Sequence, residues 1–166
     1  MKNIKTILVA IVLFTTGFAM NAQVAHINSE ELVASMPATK AMQNELKTLG
    51  ESYDTEYKAQ VNALQAKLQK YQTEASTKSN DENEKRQKEI AEIQQKLQLY
   101  LRSAQEDVQK KEMELLKPII ERAQKAIQDV AKEKGIKYVL DSTPGKGLIV
   151  FDGEDLMTAV KAKLGM

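Results

Sequence analysis

The chain has 166 residues, enough for one ordinary domain, and it contains no cysteine. Disulfides, thiol nucleophiles, Cys-ligated zinc and iron–sulfur clusters are therefore excluded. Lys and Arg number 24 against 23 Asp and Glu, and this balance lacks the basic excess expected of a generic nucleic-acid-binding protein.

Residues 1–22 have the layout of a cleaved secretory signal. Lys2 and Lys5 precede the apolar run ILVAIVLF, and we place the cleavage site after Ala22. The apolar stretch is about 15 residues, shorter than the roughly 20 that cross a bilayer, so we expect export and no transmembrane anchor after cleavage. Loss of Lys2 and Lys5 leaves 22 basic against 23 acidic residues in the mature chain.

The segment after the signal predicts a short strand and a short helix. QVAHIN, residues 23–28, is strand-like, and Ser29 is expected to cap the helix that follows. Glu30 and Glu31 suit the positive end of that helix. Pro37 should end this helix or open the next one.

Two long helical patterns follow, and a polar stretch separates them. In the first, residues 38–75, apolar side chains form a heptad seam from Tyr57 to Ala75, and Gly50 is the only glycine. The second runs through Ile90 and past Pro118, which should kink or divide it, and stops at Gly135.

The polar stretch between the two patterns contains turn and cap residues, including a capping-box sequence from Ser79 to Glu82. We therefore predict a long antiparallel helical hairpin over residues 41–114 with its tip near 76–83. The two helices of this arm should lie side by side along their apolar seams.

The remaining segments, 23–40 and 115–166, are predicted to form a small body. Residues 136–140 and 147–151 are strand-like and joined by a turn at Pro144-Gly145, and a short amphipathic helix ends the chain. A body this small without disulfides favours oligomerisation, with a β-core shared between subunits. Candidates for that shared core are Val24, Ile27, Tyr138, Leu140, Leu148 and Val150.

No constellation of catalytic or metal-binding residues is found. His26 is the only histidine, which favours a satisfied core or interface role. PGKG lacks the full phosphate-loop form, so a turn between strands is expected. The acidic pairs Glu30/Glu31 and Glu154/Asp155 lie at predicted helix starts, where the helix dipole explains them. We expect no enzyme and no cofactor.

Three parts of the sequence together resemble the Skp (OmpH-like) family of periplasmic chaperones. The resemblance is carried by VAHINSEELVASMPATK, by the long charged hairpin and by KGIKYVLDSTPGKGLIVFDGEDLMTAVKAKL. It implies a mainly α fold with a small β body, a trimer with projecting arms, and ATP-independent holding of unfolded outer-membrane proteins in the periplasm. The family's affinity for lipopolysaccharide is doubtful here, because the mature chain is not basic.

Six side chains on the arm are candidates for contact with such clients: Tyr53, Tyr57, Tyr71, Tyr100, Met42 and Met113. Tyrosine can touch an apolar chain while its hydroxyl stays hydrated, and methionine adapts its shape. The alternative is that the seam tyrosines simply pack inside the hairpin. The alternative function is a periplasmic coiled-coil spacer or adaptor that holds no clients.

Overall fold

The computed structural model describes residues 24–166. The predicted signal peptide therefore lies outside the described residues. The fold is mainly helical with a small sheet, as the sequence predicts. It comprises two compact units, one made of residues 24–32 with Lys125–Met166 and the other of Val33–Gln124. Over the described range, no helix is long and apolar enough to cross a membrane.

The first unit contains a three-stranded sheet. The strands are β1 (Val24–Ile27), β2 (Tyr138–Asp141) and β3 (Glu154–Asp155), in the order β2-β1-β3, and both outer strands run parallel to β1. Ala25 and Ile27 lie on the buried face at 1% and 2% exposure. Leu156 and Val160, at and within the C-terminal helix that follows β3, are fully buried in the same unit.

The prediction of a strand at 147–151 is wrong. This segment forms no strand, and Ile149 and Val150 are 91% and 79% exposed. The predicted turn at Pro144-Gly145 is present, since the Lys146 N–H donates to the Thr143 carbonyl and Gly145 has φ 84°. The chain then continues to the other edge of β1 instead of folding back beside β2. There β3, and not residues 147–151, pairs with β1.

The acidic pair Glu154/Asp155 consequently lies in β3 and not in a helix. Glu154 pairs with Lys134 at 2.7 Å, and the Asp155 carboxylate accepts the Met157 N–H at 2.8 Å. Only Asp155 therefore contacts the start of the helix that follows, where the sequence analysis placed both acids.

The first helix, α1 (Ser29–Ser35), is capped by Asn28 and not by Ser29. The Asn28 side-chain oxygen accepts the Glu31 N–H at 3.0 Å, which satisfies one of the free donors of the first turn. The Ser29 hydroxyl donates instead to the Asp141 carboxylate at 2.6 Å. This bond joins the start of α1 to the end of β2.

The second unit is dominated by the predicted antiparallel hairpin. Helix α2 (Pro37–Glu74) has 38 residues, a length of about 57 Å, and begins with Pro37 at its first turn. A 3-10 turn (Ala75–Thr77) leads to α3 (Asn80–Glu133), which runs back without interruption. Pro118 lies inside α3 and does not divide it.

Contacts between the helices fix the pairing of the hairpin. Residues equally distant from the tip meet, as Glu74 meets Arg86 at 2.8 Å and Glu45 meets Lys111 at 2.8 Å. The predicted seam residue Leu64 and its counterpart Leu97 are buried. The tip and the direction of the second helix therefore agree with the sequence analysis.

Both ends of α3 follow the predicted chemistry. At the start, the Ser79 hydroxyl accepts the Glu82 N–H at 3.3 Å, although the Glu82 carboxylate pairs with Arg86 instead of completing the capping box. At the end, Gly135 has φ 69°, and the Ile136 N–H donates to the Ala131 carbonyl at 2.8 Å. This is a Schellman termination, and the following strand begins at Tyr138.

The last helix, α4 (Met157–Leu164), ends in the same way as α3. Gly165 has φ 77°, and the Met166 N–H donates to the Lys161 carbonyl at 3.0 Å.

Candidate functional site

The hairpin brings three of the predicted contact residues together in one cleft. Tyr53 and Tyr57 from α2 and Tyr100 from α3 line a cavity of about 620 Å³. Gly50 and Ala104, facing the same space, are small and leave room between the helices. We call this cavity the tyrosine cleft; its lining also includes Asp54, Leu101, Gln105, Val108 and Gln109.

Two tyrosines of the cleft are held in place from the opposite helix. The Tyr53 hydroxyl donates to the Asp107 carboxylate at 3.0 Å, and the Tyr100 hydroxyl donates to the Glu56 carboxylate at 2.9 Å. Their rings meet edge to face, with centroids 6.0 Å apart and planes at 73°. Each helix thus supplies one ring and one carboxylate, and the hydrogen bonds fix the two rings along the lining of the cleft.

The two carboxylates raise the pKa of both phenols. Burial and the hydrogen bond to Glu56 raise the pKa of Tyr100 to about 12, while the hydrogen bond to Asp107 raises the pKa of Tyr53. Both hydroxyls therefore remain hydrogen-bond donors to these carboxylates.

The two predicted methionines have different surroundings. Met113 is 65% exposed on α3 and borders an open groove with Leu116 and Ile120. Met42 is 8% exposed, so it has little surface to offer a client and we withdraw it from the candidates. Leu99, which the sequence analysis did not select as a contact, is 62% exposed on α3. Its position outside the heptad seam is the sequence signal that could have selected it.

Tyr71 lies near the tip in a cluster that sequence reasoning did not assemble. Its hydroxyl donates to Glu89, and the Arg86 guanidinium lies over its ring, 4.4 Å from the centroid. Arg86 also pairs with Glu74, and this hydrogen bond lowers the pKa of the Glu74 carboxyl. Arg86 and Tyr71 lie at nearly equal distances from the turn, and this spacing is the sequence signal that could have placed them together.

The candidates for the oligomer core lie on both faces of the sheet and in the loop that precedes β3. Val24, Tyr138 and Leu140 share one face by register and alternation, and they are 40%, 65% and 43% exposed. Val150 is exposed and Leu148 half-buried in the neighbouring loop. Ile27 points to the other face and is buried within the subunit, so we withdraw it as a contact between subunits.

His26 is satisfied inside the first unit. Its Nε2–H donates to the Gly153 carbonyl at 3.2 Å, its Nδ1 lies 3.3 Å from the Ser142 hydroxyl, and the Phe151 ring packs 4.9 Å away. Among residues 24–166, no group of His, Cys, Asp and Glu side chains is arranged to hold a metal ion.

Comparison with known proteins assigns the family. The model described as outer membrane protein (OmpH-like) matches residues 23–164, nearly the whole chain. The chain belongs to the OmpH-like family.

Relatives and a solved structure agree with this assignment. This OmpH-like chain is 27% identical over 129 residues to the chaperone protein Skp of Photorhabdus laumondii, covering 78% of each chain. It is 22% identical over 121 residues to the chaperone protein Skp of Yersinia enterocolitica, covering 73% of this chain and 74% of the relative. An OmpH-like protein from Caulobacter crescentus CB15 has the same fold, with a TM-score of 0.76 at 22% identity over 90% of this chain and 87% of its own.

Proposed function

We propose that this protein is an ATP-independent periplasmic holdase that keeps unfolded outer-membrane proteins from aggregating. The observation that carries the proposal is the hairpin of an OmpH-like chain whose two helices expose apolar and amphipathic side chains to solvent. Leu99 and Met113 are more than half exposed on α3, and the tyrosine cleft opens between α2 and α3. The two Skp relatives are named as chaperone proteins.

Such a surface suits weak and distributed holding. An unfolded β-barrel protein exposes alternating apolar side chains and unpaired strand edges, which otherwise associate with other chains. Scattered apolar contacts on a charged rod shield these groups, and no single contact is strong enough to prevent release. Binding and release of this kind require no nucleotide.

We also propose that the working form is a homo-oligomer, with a trimer as the expected state and clients held between its arms. In the single chain, Val24, Tyr138 and Leu140 are exposed on one face of the sheet, and Ile149 and Val150 are exposed in the loop that precedes β3. Apolar patches of this kind commonly mark protein interfaces. The predicted signal peptide supports export and cleavage after Ala22, which would place the mature protein in the periplasm.

The holding activity is tested by dilution of a denatured outer-membrane β-barrel protein into nucleotide-free buffer with the mature protein. We expect suppressed turbidity and a complex of one client per trimer. The double variant Leu99→Ser/Met113→Ser should suppress turbidity less well, because two exposed apolar contacts are lost. Gln94→Ser is the matched control, since it makes a polar change on an exposed position of the same helix. Unchanged client aggregation with the unmodified protein would refute the proposal and favour a spacer.

The oligomeric state is tested by analytical ultracentrifugation of the mature protein and of Leu140→Asp. We expect the unmodified protein to sediment as a trimer and the variant to dissociate, because a carboxylate on the shared apolar face would be buried without a partner. A stable folded monomer of the unmodified protein at micromolar concentration would contradict this part of the proposal.

A further inference from the structure

We propose that the tyrosine cleft is a binding site for cationic side chains, Lys or Arg, of the unfolded client. This inference rests on the proposed holding function and names the client chemistry that one part of the arm selects. The site combines an apolar floor with aromatic rings whose hydroxyls contact two carboxylates, and these carboxylates form no ion pair within residues 24–166.

The floor of the cleft suits the aliphatic stem of a long side chain. Gly50 and Ala104 leave space between the helices, and Leu101 and Val108 supply apolar surface. The cavity of about 620 Å³ lies within the usual range for small-ligand sites. Lys and Arg side chains commonly lay their methylene groups along such surfaces while the charged end reaches outward.

Two carboxylates next to the tyrosines of the cleft differ from other acidic side chains of α2 in their partners. Asp54 is paired with Lys58 at 2.6 Å. Glu45, nearer the start of α2, is paired with Lys111. Within residues 24–166, Glu56 and Asp107 form no ion pair with Lys or Arg; their partners are the two tyrosine hydroxyls and, for Glu56, the Gln60 amide. A cation in the cleft would therefore lie against tyrosines whose hydroxyls contact carboxylates that form no ion pair in this part of the chain.

The tip of the same hairpin shows the arrangement with its cation present. There a tyrosine that donates to a carboxylate, Tyr71 to Glu89, is covered by the guanidinium of Arg86 at 4.4 Å. The tyrosine cleft repeats the tyrosine–carboxylate pairs, Tyr53 with Asp107 and Tyr100 with Glu56, but none of the cation–π contacts in the described range involves these rings. Attraction between a cation and a tyrosine ring adds to the attraction of the carboxylates.

The test uses two small probes of nearly identical shape that differ in charge. Nα-acetyl-argininamide carries the guanidinium, and Nα-acetyl-citrullinamide replaces it with a neutral urea. The probes are titrated into the full-length mature protein carrying ¹³C-labelled tyrosine rings. We expect the signals of Tyr53, Tyr57 and Tyr100 to shift saturably with the arginine probe, while those of Tyr71 and Tyr138 stay unchanged.

The citrulline probe should bind about three- to tenfold more weakly, because it gains neither cation–π nor ionic attraction. Added salt should weaken the arginine probe selectively. Equal binding of both probes, or no shift at the three cleft tyrosines, would overturn the proposal. This comparison needs no variant, so it does not depend on the folding of a mutant.

Variants then connect the cleft to the client. Glu56→Gln with Asp107→Asn removes both charges but keeps oxygen acceptors for the tyrosines, and Glu92→Gln is the control at an exposed carboxylate elsewhere on α3. We expect only the double variant to bind the arginine probe about three- to tenfold more weakly and to release a Lys- and Arg-rich client faster. If the unmodified protein suppresses client aggregation but binds both probes equally, the cation site is refuted and the holding function stands. If it binds the arginine probe selectively but does not suppress aggregation, the holding function is refuted and the cation site stands.

Discussion

Replacement of Asp141 by Asn should destabilise the first unit, because this carboxylate joins three segments of the chain. It accepts hydrogen bonds from the Ser29 N–H at 3.2 Å and hydroxyl at 2.6 Å, and from the Thr143 N–H at 3.0 Å and hydroxyl at 2.6 Å. Lys146 pairs with it at 2.8 Å. Although desolvation acts in the opposite direction, these donors together hold the pKa of Asp141 well below its usual range.

The magnitude follows from the contacts. A hydrogen bond to a charged group contributes about 1.5–3 kcal/mol, and Asn keeps one of the two acceptor oxygens. The half-exposed pair with Lys146 adds at most about 1 kcal/mol. We therefore expect Asp141→Asn to lower the free energy of unfolding by about 2–4 kcal/mol at pH 7.

The pH dependence supplies a second check on the same residue. Because the folded pKa of Asp141 is depressed, its contribution is fully present above the unfolded pKa of about 4 and is lost as pH falls through the folded value. The difference between the unmodified protein and Asp141→Asn should thus be constant from pH 7 to about 5 and shrink below about pH 4.

Urea unfolding followed by circular dichroism measures both effects. The proteins must be compared at one concentration, because oligomerisation shifts apparent stability. Asp152→Asn is the matched control, since this exposed carboxylate has no hydrogen bond or ion pair within residues 24–166. A loss below about 0.5 kcal/mol at pH 7, or a difference that does not shrink in acid, would refute the reasoning.

Three further substitutions test the helices. Gly50→Ala should raise the free energy of unfolding in urea by about 1 kcal/mol, because Ala favours the helix more than Gly does. The added methyl group has room, since no heavy atom lies within 4 Å of it, and a lower free energy of unfolding would show that it clashes. Gly135→Ala should lower the free energy of unfolding in urea by about 1–2 kcal/mol, because φ is 69° at this position and a side chain disfavours this left-handed backbone. An unchanged free energy of unfolding would contradict the Schellman termination. Arg86→Met should speed amide hydrogen exchange near the tip, because the stacking on Tyr71 and the pair with Glu74 are lost; unchanged exchange there would show that the cluster is not stabilising.

Much of the arm could be predicted from the sequence, because its signals are local. The heptad seam, Ser79 as a cap and Gly135 as a stop act within a few residues, and each is found where it was expected. Pro118 left two possibilities open, and the structure selects a continuous helix. The antiparallel pairing follows from the position of the tip.

The body was harder to predict, because strand pairing connects residues more than 100 positions apart. GLIVF has the composition of a strand, yet the available edge of β1 is occupied by Glu154–Asp155, whose own composition does not favour a strand. A contact between distant residues also decides the cap of α1. The Ser29 hydroxyl donates to Asp141 of β2, and Asn28 caps the helix instead.

The sequence by itself determined the two helices and their reversal near residue 78, because periodicity and turn chemistry depend only on neighbouring residues. The tertiary structure alone decided which side chains meet. It placed Tyr53 and Tyr100 against carboxylates of opposite helices and Arg86 over Tyr71. These contacts depend on the register between two helices, which sequence spacing along one helix does not contain.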